Sequence, residues 1–353
     1  MTHMPAVASS TSSQPEAGAL PRVAVVIPTL NEAATLRQTL EALLGQDYPA
    51  ALYEILIVDG GSTDGTRDLA MSFHDHAVRV RLLDNPGRTT PVAVNLALRS
   101  SDADTILWLS GHCLISPNYL RESATALAGT PNRATGGFLE VRGEGVRGAL
   151  NAIVLSSRFG TGNSTFRFSR ETGKTQSITF ALFDRQTLLE LGGLDESLAR
   201  NQDNDLVARL TARGVTYWRV DATAIYLAPR TFTGLWRRAF LNGAWSVWGH
   251  RRGRGGHSWW HFVPMAMVGA GVTLAVMAVA GLNLAPWCLS VLAVIYGLLA
   301  LGSAIGIAVP RNAYWAIPIL PLLFFIHHAI YGLGSWSAVM RPNPVPPRAH
   351  KQQ

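Results

Sequence analysis

From residue 22 onward the chain repeats one pattern: a short, almost wholly apolar run, a small polar turn, then apolar residues at helical spacing. Residues 22–27 (RVAVVI) are a β-rich run stopped by Pro28, and Asn31 is placed to cap a helix carrying Leu36, Leu40, Leu43 and Leu44. Residues 55–58 lead through DGGSTDG into a helix from Asp64; VRVRLLDNPGRTTPVAVNLAL is a third strand-turn-helix, and 105–109 (TILWL) a fourth strand. Strands alternating with helices predict an α/β fold, a mostly parallel, Rossmann-like sheet with helices on both faces. Ligands of such sheets bind beyond the carboxyl ends of the strands. Pro28-Thr29, Asp59-Gly60 and Ser110-Gly111-His112 all fall there and are expected to share one crevice. Asp102 and Asp104, in SDAD, precede the fourth strand and belong at the opposite edge.

Beyond Pro117 the pattern loosens. ATGGFLEVRGEG reads as a strand with a glycine pair, VLSSRFGTGNSTFRFSRETGKTQSITF as a long polar loop, and DRQTLLELGGLDESLARNQDNDLVARLTARGV as two helices about a Gly-Gly turn. Periodicity then vanishes into three long apolar stretches, near 263–282, 287–309 and 314–339, each close to the roughly 20 residues a spanning helix needs. None has an acidic residue or a polar stripe, so three transmembrane helices are expected over 262–340, the third alternatively re-entrant where Pro318 and Pro321 interrupt it.

Charge sharpens that division. Residues 1–221 hold all 23 acids against 20 Lys and Arg, whereas 222–353 hold ten cations and no acid. The net charge of +7 therefore belongs to the C-terminal third. Six Arg interleave with five Trp and two Phe over 229–261, just before the first apolar stretch, as suits a membrane-interface segment on an anionic cytoplasmic surface. That position speaks against nucleic-acid binding. Residues 1–20 lack the basic start and apolar core of a signal peptide and read as a disordered tail, and 341–353 form a C-terminal tail. Cys113 and Cys288 support neither a disulfide framework nor a zinc site.

No Walker-type loop or G-x-G-x-x-G is present. Asp59, in a Gly/Ser turn at a strand end, suits a uracil N–H or ribose hydroxyls, while the glycines let a nucleotide approach the backbone. Asp64 is explained by a helix cap alone.

VVIPTLNEAATLRQTLEALLGQDYP, EILIVDGGSTDGT, NPGRTTPVAVNLAL, LGGLDES and NQDNDLVARL resemble, in order and spacing, the successive signatures of family 2 inverting glycosyltransferases. The resemblance covers roughly residues 22–245, and the three apolar stretches fit the membrane-anchored succinoglycan-type glucosyltransferases. It implies a GT-A fold over 21–229, a nucleotide-sugar donor (usually a UDP-sugar), and a nucleoside site lined by Pro28, Thr29, Glu32 and Asp59, with Arg88 approaching from the third turn. Asp203 matches the family's general base, which takes the proton of the attacking sugar hydroxyl; Asp205 is a competitor two residues on.

In most of that family the fourth strand ends in Asp-x-Asp, whose last carboxylate binds a divalent metal. Here the triplet is Ser110-Gly111-His112. His112 is a candidate ligand for Mn²⁺ or Mg²⁺, imidazole suiting Mn²⁺ better. It is alternatively an imidazolium neutralising the diphosphate, or a plain polar strand end. Gln202 stands where relatives carry Glu. The Gln-x-x-Arg-Trp signature of processive synthases is absent, RRAFLNGAW lying near its place. The expected activity is transfer of one hexose to a polyprenyl-linked or glycolipid acceptor in polysaccharide or cell-envelope synthesis, by a multi-pass membrane protein with a cytoplasmic catalytic domain. The competing expectation is a degenerate, membrane-anchored nucleotide-sugar binding protein.

Overall fold

A computed structural model describes residues 20–130, 132–162, 171–253 and 258–341. The two expected tails, apart from Leu20 and Arg341, and the centre of the polar loop lie outside the described residues. Four crossover strands open the chain: β1 (Val23–Thr29), β2 (Tyr53–Asp59), β3 (Arg79–Asp84) and β4 (Thr105–Trp108). Helices α1 (Ala33–Leu44), α2 (Thr66–Met71) and α3 (Thr90–Ser100) connect them. Then come β5 (Cys113–Ile115), α4 (Tyr119–Leu127), β6 (Arg133–Arg142), α5 (Gly145–Leu155), α6 (Arg158–Thr161), β7 (Gly173–Thr175) and β8 (Leu182–Asp184). Helices α7 (Arg185–Glu190) and α8 (Gln202–Ala212) precede the long strand β9 (Thr216–Leu227).

All these strands join one sheet, in the order β3-β2-β1-β4-β8-β6-β9-β5. The first four are parallel and β6 runs parallel to β9, while β8 is antiparallel to both β4 and β6. One edge of β9 is shared, β7 pairing with Tyr217–Arg219 and β5 with Ala224–Tyr226.

The apolar runs are continuous because both faces are covered. Val23, Val25, Ile27, Ile55 and Ile57 pack on one side with Leu36, Leu40 and Leu43 of α1. Ala24, Val26, Leu56 and Val58 pack on the other with Ala93, Val94, Ala97 and Leu98 of α3 and Leu206 and Leu210 of α8. Each of these leucines is at most 1 % exposed, a burial that stabilises by about 2 kcal/mol.

After β9, Thr231 caps α9 (Phe232–Arg251), its hydroxyl accepting from the Gly234 amide. The chain then enters α10 (Val263–Val279), α11 (Leu284–Ala308) and α12 (Leu320–Met340). Three helical segments, Trp259–Val279, Leu284–Arg311 and Leu320–Met340, are long and apolar enough to cross a membrane. Their burial differs: none of the most apolar window of the first is buried, 17% of the second, and 39% of the third. The third is sheltered because α9 lies along it backbone to backbone. A Cβ on Gly243 would overlap the Tyr331 carbonyl, and one on Gly334 the Phe240 carbonyl, so only glycine allows this approach. Leu150, Val154 and Leu155 of α5 and Leu235 of α9 pack with Ala304 of α11 and Leu323 and Phe324 of α12, tying the sheet domain to the apolar helices.

Prolines do not break the third segment. Pro318 lies before α12 and Pro321 in its first turn, where a missing N–H costs nothing, so the helix runs on uninterrupted. His327 is buried, and His328 bonds to Phe159 O and the Tyr296 hydroxyl, so both histidines face protein, as their cost in lipid requires.

Candidate functional site

Register brings the first site residues together. Thr29, Asp59 and Asp84 end their strands abreast of one another. Asp59, 1 % exposed, accepts from the Gly61 and Ser62 amides (both 2.9 Å), the Ser62 hydroxyl (2.5 Å), the Thr29 hydroxyl (3.1 Å) and Arg67 (3.2 Å). Burial pushes its carboxyl up, but the Ser62, Arg67 and Thr29 bonds outweigh that and hold it below the ordinary range. Beside it opens a cleft of about 200 Å³ lined by Asp59, Gly60, Gly61, Asp84, Asn85, Pro86 and Arg88. Asn85 shapes its wall: its side-chain oxygen accepts from the Arg88 amide at 3.0 Å and steadies Arg88 at a φ of +56. Asp84, Asn85 and Pro86 escaped the sequence reading, although their place at the end of the third strand is the signal that found Asp59.

The first and second turns are stitched to each other. Asn31, at φ +58, does not cap α1; its side chain accepts from the Thr63 amide, while Ser62 and Thr66 hydroxyls accept from the Asn31 and Glu32 amides. Asp64 reaches across to take the Ala33 amide at 3.1 Å and also binds the Thr66 amide and hydroxyl. Thus the start of α1 is capped by the neighbouring turn. Pro28, half-buried, pairs in β1 with Val58.

Glu32 is outside the cleft lining and faces the fourth strand. Its Oε1 and Oε2 lie 3.2 and 3.4 Å from Nδ1 of His112, and Oε2 also takes the Thr35 hydroxyl at 3.1 Å. Gly111 permits this: a Cβ there would stand 3.1 Å from the Glu32 side chain. The Gly111 carbonyl accepts from Thr39 of α1 at 3.0 Å, and Ser110 closes the turn by accepting from the Cys113 amide. Tyr226, near the end of β9, presents its ring edge-on to His112 with centroids 5.1 Å apart. Asp102 and Asp104 engage Arg22 at the amino end of β1, so that Asp-x-Asp is remote from the crevice.

Among the described residues no three His, Cys, Asp or Glu side chains converge as a metal group. One imidazole beside one carboxylate is nonetheless a donor pair that a six-coordinate divalent ion accepts, phosphate oxygens and water completing the shell. The residues fit a metal that binds together with its nucleotide.

The other carboxylates separate cleanly. Asn201, at φ +61, is the cap residue of α8, and Asp203 sits exposed in the first turn, its side chain accepting from the adjacent Asn204 amide at 2.9 Å as its one hydrogen bond among the described residues. Asp205 is 3 % exposed and bonded at 2.8 Å to Arg209, which in turn holds the Leu191 and Gly193 carbonyls. Asp205 is therefore a structural tie, and Asp203 the carboxylate open to chemistry. Arg200, three residues before it, donates to Asn242 of α9 at 3.0 Å. Arg238 of α9 lies over the Tyr226 ring, 4.9 Å from its centroid, and donates to its hydroxyl. Sequence reasoning missed Tyr226, which the fold brings to His112, and the Arg200–Asn242 bond, which ties the loop before Asp203 to α9.

Residues 24–192 match the family model described as glycosyl transferase family 2. The chain is 27% identical over 329 residues, 90% of its own length and 94% of the relative's, to the succinoglycan biosynthesis protein ExoA of Rhizobium meliloti (strain 1021). It is 23% identical over 200 residues, 54% of its length and 62% of the relative's, to a dolichyl N-acetyl-alpha-D-glucosaminyl phosphate 3-beta-D-2,3-diacetamido-2,3-dideoxy-beta-D-glucuronosyltransferase of Methanococcus voltae. Among solved structures, the mannosyltransferase PcManGT of Pyrobaculum calidifontis, in complex with GDP-Man and Mn²⁺, superposes with a TM-score of 0.56 at 21% identity, covering 93% of this chain and 89% of that one. That likeness bears out the GT-A type of fold.

Proposed function

Because this chain carries a family 2 glycosyltransferase domain, we propose that it moves a single sugar from a nucleotide-sugar, a UDP-hexose, to a lipid-linked or glycolipid acceptor at the cytoplasmic membrane face. The observation that carries the reading is the exposed, lightly bonded carboxylate of Asp203 in the first turn of α8. Its neighbour Arg200 reaches into the cluster of Arg238, Tyr226 and His112.

The nucleoside lies in the cleft between Asp59 and Arg88. The Asp59 carboxylate is held ionised, and the backbone of Gly60 and Gly61 forms the floor. Asp203 accepts the proton of the acceptor hydroxyl as its oxygen attacks the anomeric carbon. The nucleoside diphosphate departs from the opposite face, so configuration inverts. A divalent metal, Mn²⁺ or Mg²⁺, supplies positive charge against the diphosphate when bound, and His112 with Glu32 would hold it. Shelter of the diphosphate beside His112 and Tyr226 strengthens each electrostatic contact there.

The membrane side is supported by the three long apolar helices and by the arginines of α9, which suit the cytoplasmic leaflet where a soluble donor is found. The Methanococcus voltae relative acts, by its title, on a dolichyl phosphate-linked sugar, and the Rhizobium meliloti relative is named for succinoglycan biosynthesis, which favours an acceptor on a polyprenyl lipid. The test is transfer from labelled UDP-hexose to membrane lipid extract, with wild type and Asp203→Asn. Product formation that stops in the variant while UDP still binds supports the reading. Unchanged behaviour of the variant leaves a membrane-anchored binding protein instead, and equal transfer to a free soluble sugar sinks the lipid acceptor.

A further inference from the structure

A run of contacts leads from the crevice to the apolar helices. Glu32 touches His112, His112 touches Tyr226, and Tyr226 carries Arg238 on its face and hydroxyl. Arg200 reaches the same region from the loop before Asp203, held by Asn242, which lies one helical turn beyond Arg238 on α9. Among the described residues none of Arg200, Arg237 and Arg238 forms an ion pair. Burial and then the neighbouring Arg238 lower the basicity of Arg200 to about 10, with Arg237 adding to the effect and Tyr226 and Asp203 opposing it. Arg200 stays charged at neutral pH, beside another cation.

Across from them α12 contributes His327, 6 % exposed, whose Nδ1 has no hydrogen-bond partner among the described residues and which lies within electrostatic range of Arg238. The glycine contacts at Gly243 and Gly334 fix α9 against α12, so the imidazole and the guanidinium cannot drift apart. Two half-buried guanidinium groups repel each other, and a buried imidazole nitrogen without a partner forfeits its hydration. An anion with several acceptor oxygens placed among them relieves both costs at once.

We propose that Arg200, Arg238 and Nδ1 of His327 form a phosphate-binding subsite for the phosphate of a membrane-borne acceptor. The proposal rests on the glycosyltransferase reading given above. Phosphate chemistry has two sources here, a lipid headgroup or the diphosphate of the donor. The lipid is favoured because His327 belongs to a helix long and apolar enough to cross a membrane, whereas the nucleoside cleft is lined by other residues altogether, from Asp59 to Arg88.

The experiment uses the full chain in phosphatidylcholine nanodiscs, with and without a polyprenyl phosphate. Native mass spectrometry measures lipid retained, and calorimetry measures UDP binding in the same samples. For R200Q and R238Q, polyprenyl phosphate retention should fall about tenfold or more while UDP affinity holds, as expected for loss of a charge-assisted bond. Retention equal to wild type overturns the subsite. A loss of UDP binding with lipid retained also overturns it, and gives the arginines to the donor diphosphate. Should an arginine variant lose both through misfolding, H327F and H327Q decide: H327Q keeps a donor and should retain the lipid, H327F should not, and equal retention in the two refutes the role of His327. Failure of the wild type to bind UDP is a separate result that removes the glycosyltransferase reading itself.

Discussion

Nδ1 of His112 stands 3.2 Å from Oε1 of Glu32, so the imidazole at the end of the fourth strand is partnered by a carboxylate from the first turn. Two ligands side by side on one ion stand about 3 Å apart when each bond is close to 2.1 Å. The pair thus offers together what a second aspartate on the strand would offer. Mn²⁺ should tighten UDP binding to the wild type, and both His112→Ala and Glu32→Gln should remove most of that gain, on the order of tenfold. Calorimetry with Mn²⁺ and with chelator measures this; UDP binding that is equally tight with chelator present rejects the pair as a metal site.

Asp203 and Asp205 should fail in different ways. Asp203→Asn should lower turnover by roughly 10²–10⁴-fold with little change in melting temperature, since it removes a proton acceptor from an exposed position. Asp205→Asn should leave the chemistry in place but destabilise by about 3 kcal/mol, because it strands Arg209 beside a buried, uncharged partner. Turnover and thermal unfolding of the two variants form a two-by-two comparison, and a swapped result would reverse the assignment.

The pH dependence follows from Asp59 and Asp64, both held below the ordinary carboxylate range although burial acts the other way. A carboxyl whose folded pKa is depressed stabilises the fold above its unfolded value, near 4, and that contribution disappears as pH falls through the folded value. Stability should therefore be flat from neutrality to about pH 5 and fall below about pH 4. Asp59→Asn should be less stable at neutral pH and lose less on acidification. Denaturant melts at the two pH values check it; parallel losses in both proteins would show that Asp59 is not a titrating support.

Gly243→Ala should uncouple α9 from α12, since the new Cβ meets the Tyr331 carbonyl and neither backbone can yield locally. The expected cost is about 1–3 kcal/mol, with a larger one for valine. Thermal unfolding in detergent reads the loss, and an unaffected alanine variant would mean that the two helices are free to separate.

Much of this was legible in the chain. A strand buried on both faces is apolar throughout, so β1, β2 and β4 announced themselves, and their ends marked the crevice. The cap of α1 was not legible, because its donors are met from the neighbouring turn by Ser62, Asp64 and Thr66 rather than by the local Asn31. The Glu32 partner of His112 is 80 residues away in sequence, and no spacing rule links them. Arg200 and Tyr226 were hidden for the same reason: their roles arise where the loop before α8, the end of β9 and α9 meet. The tie between Asp205 and Arg209 is the contrasting case, a pair four residues apart on one helix face.

The close seating of α9 on α12 has a consequence for which acceptors can be used. A helix that begins at the end of the sheet and is locked to a membrane-capable helix acts as a strut of set length. Under the proposed reading it holds the crevice at one height above the lipid. A glycan whose terminal hydroxyl stands lower or higher than Asp203 is out of register, however well its sugar would fit. Under that reading the scaffold gauges the chain length of the acceptor.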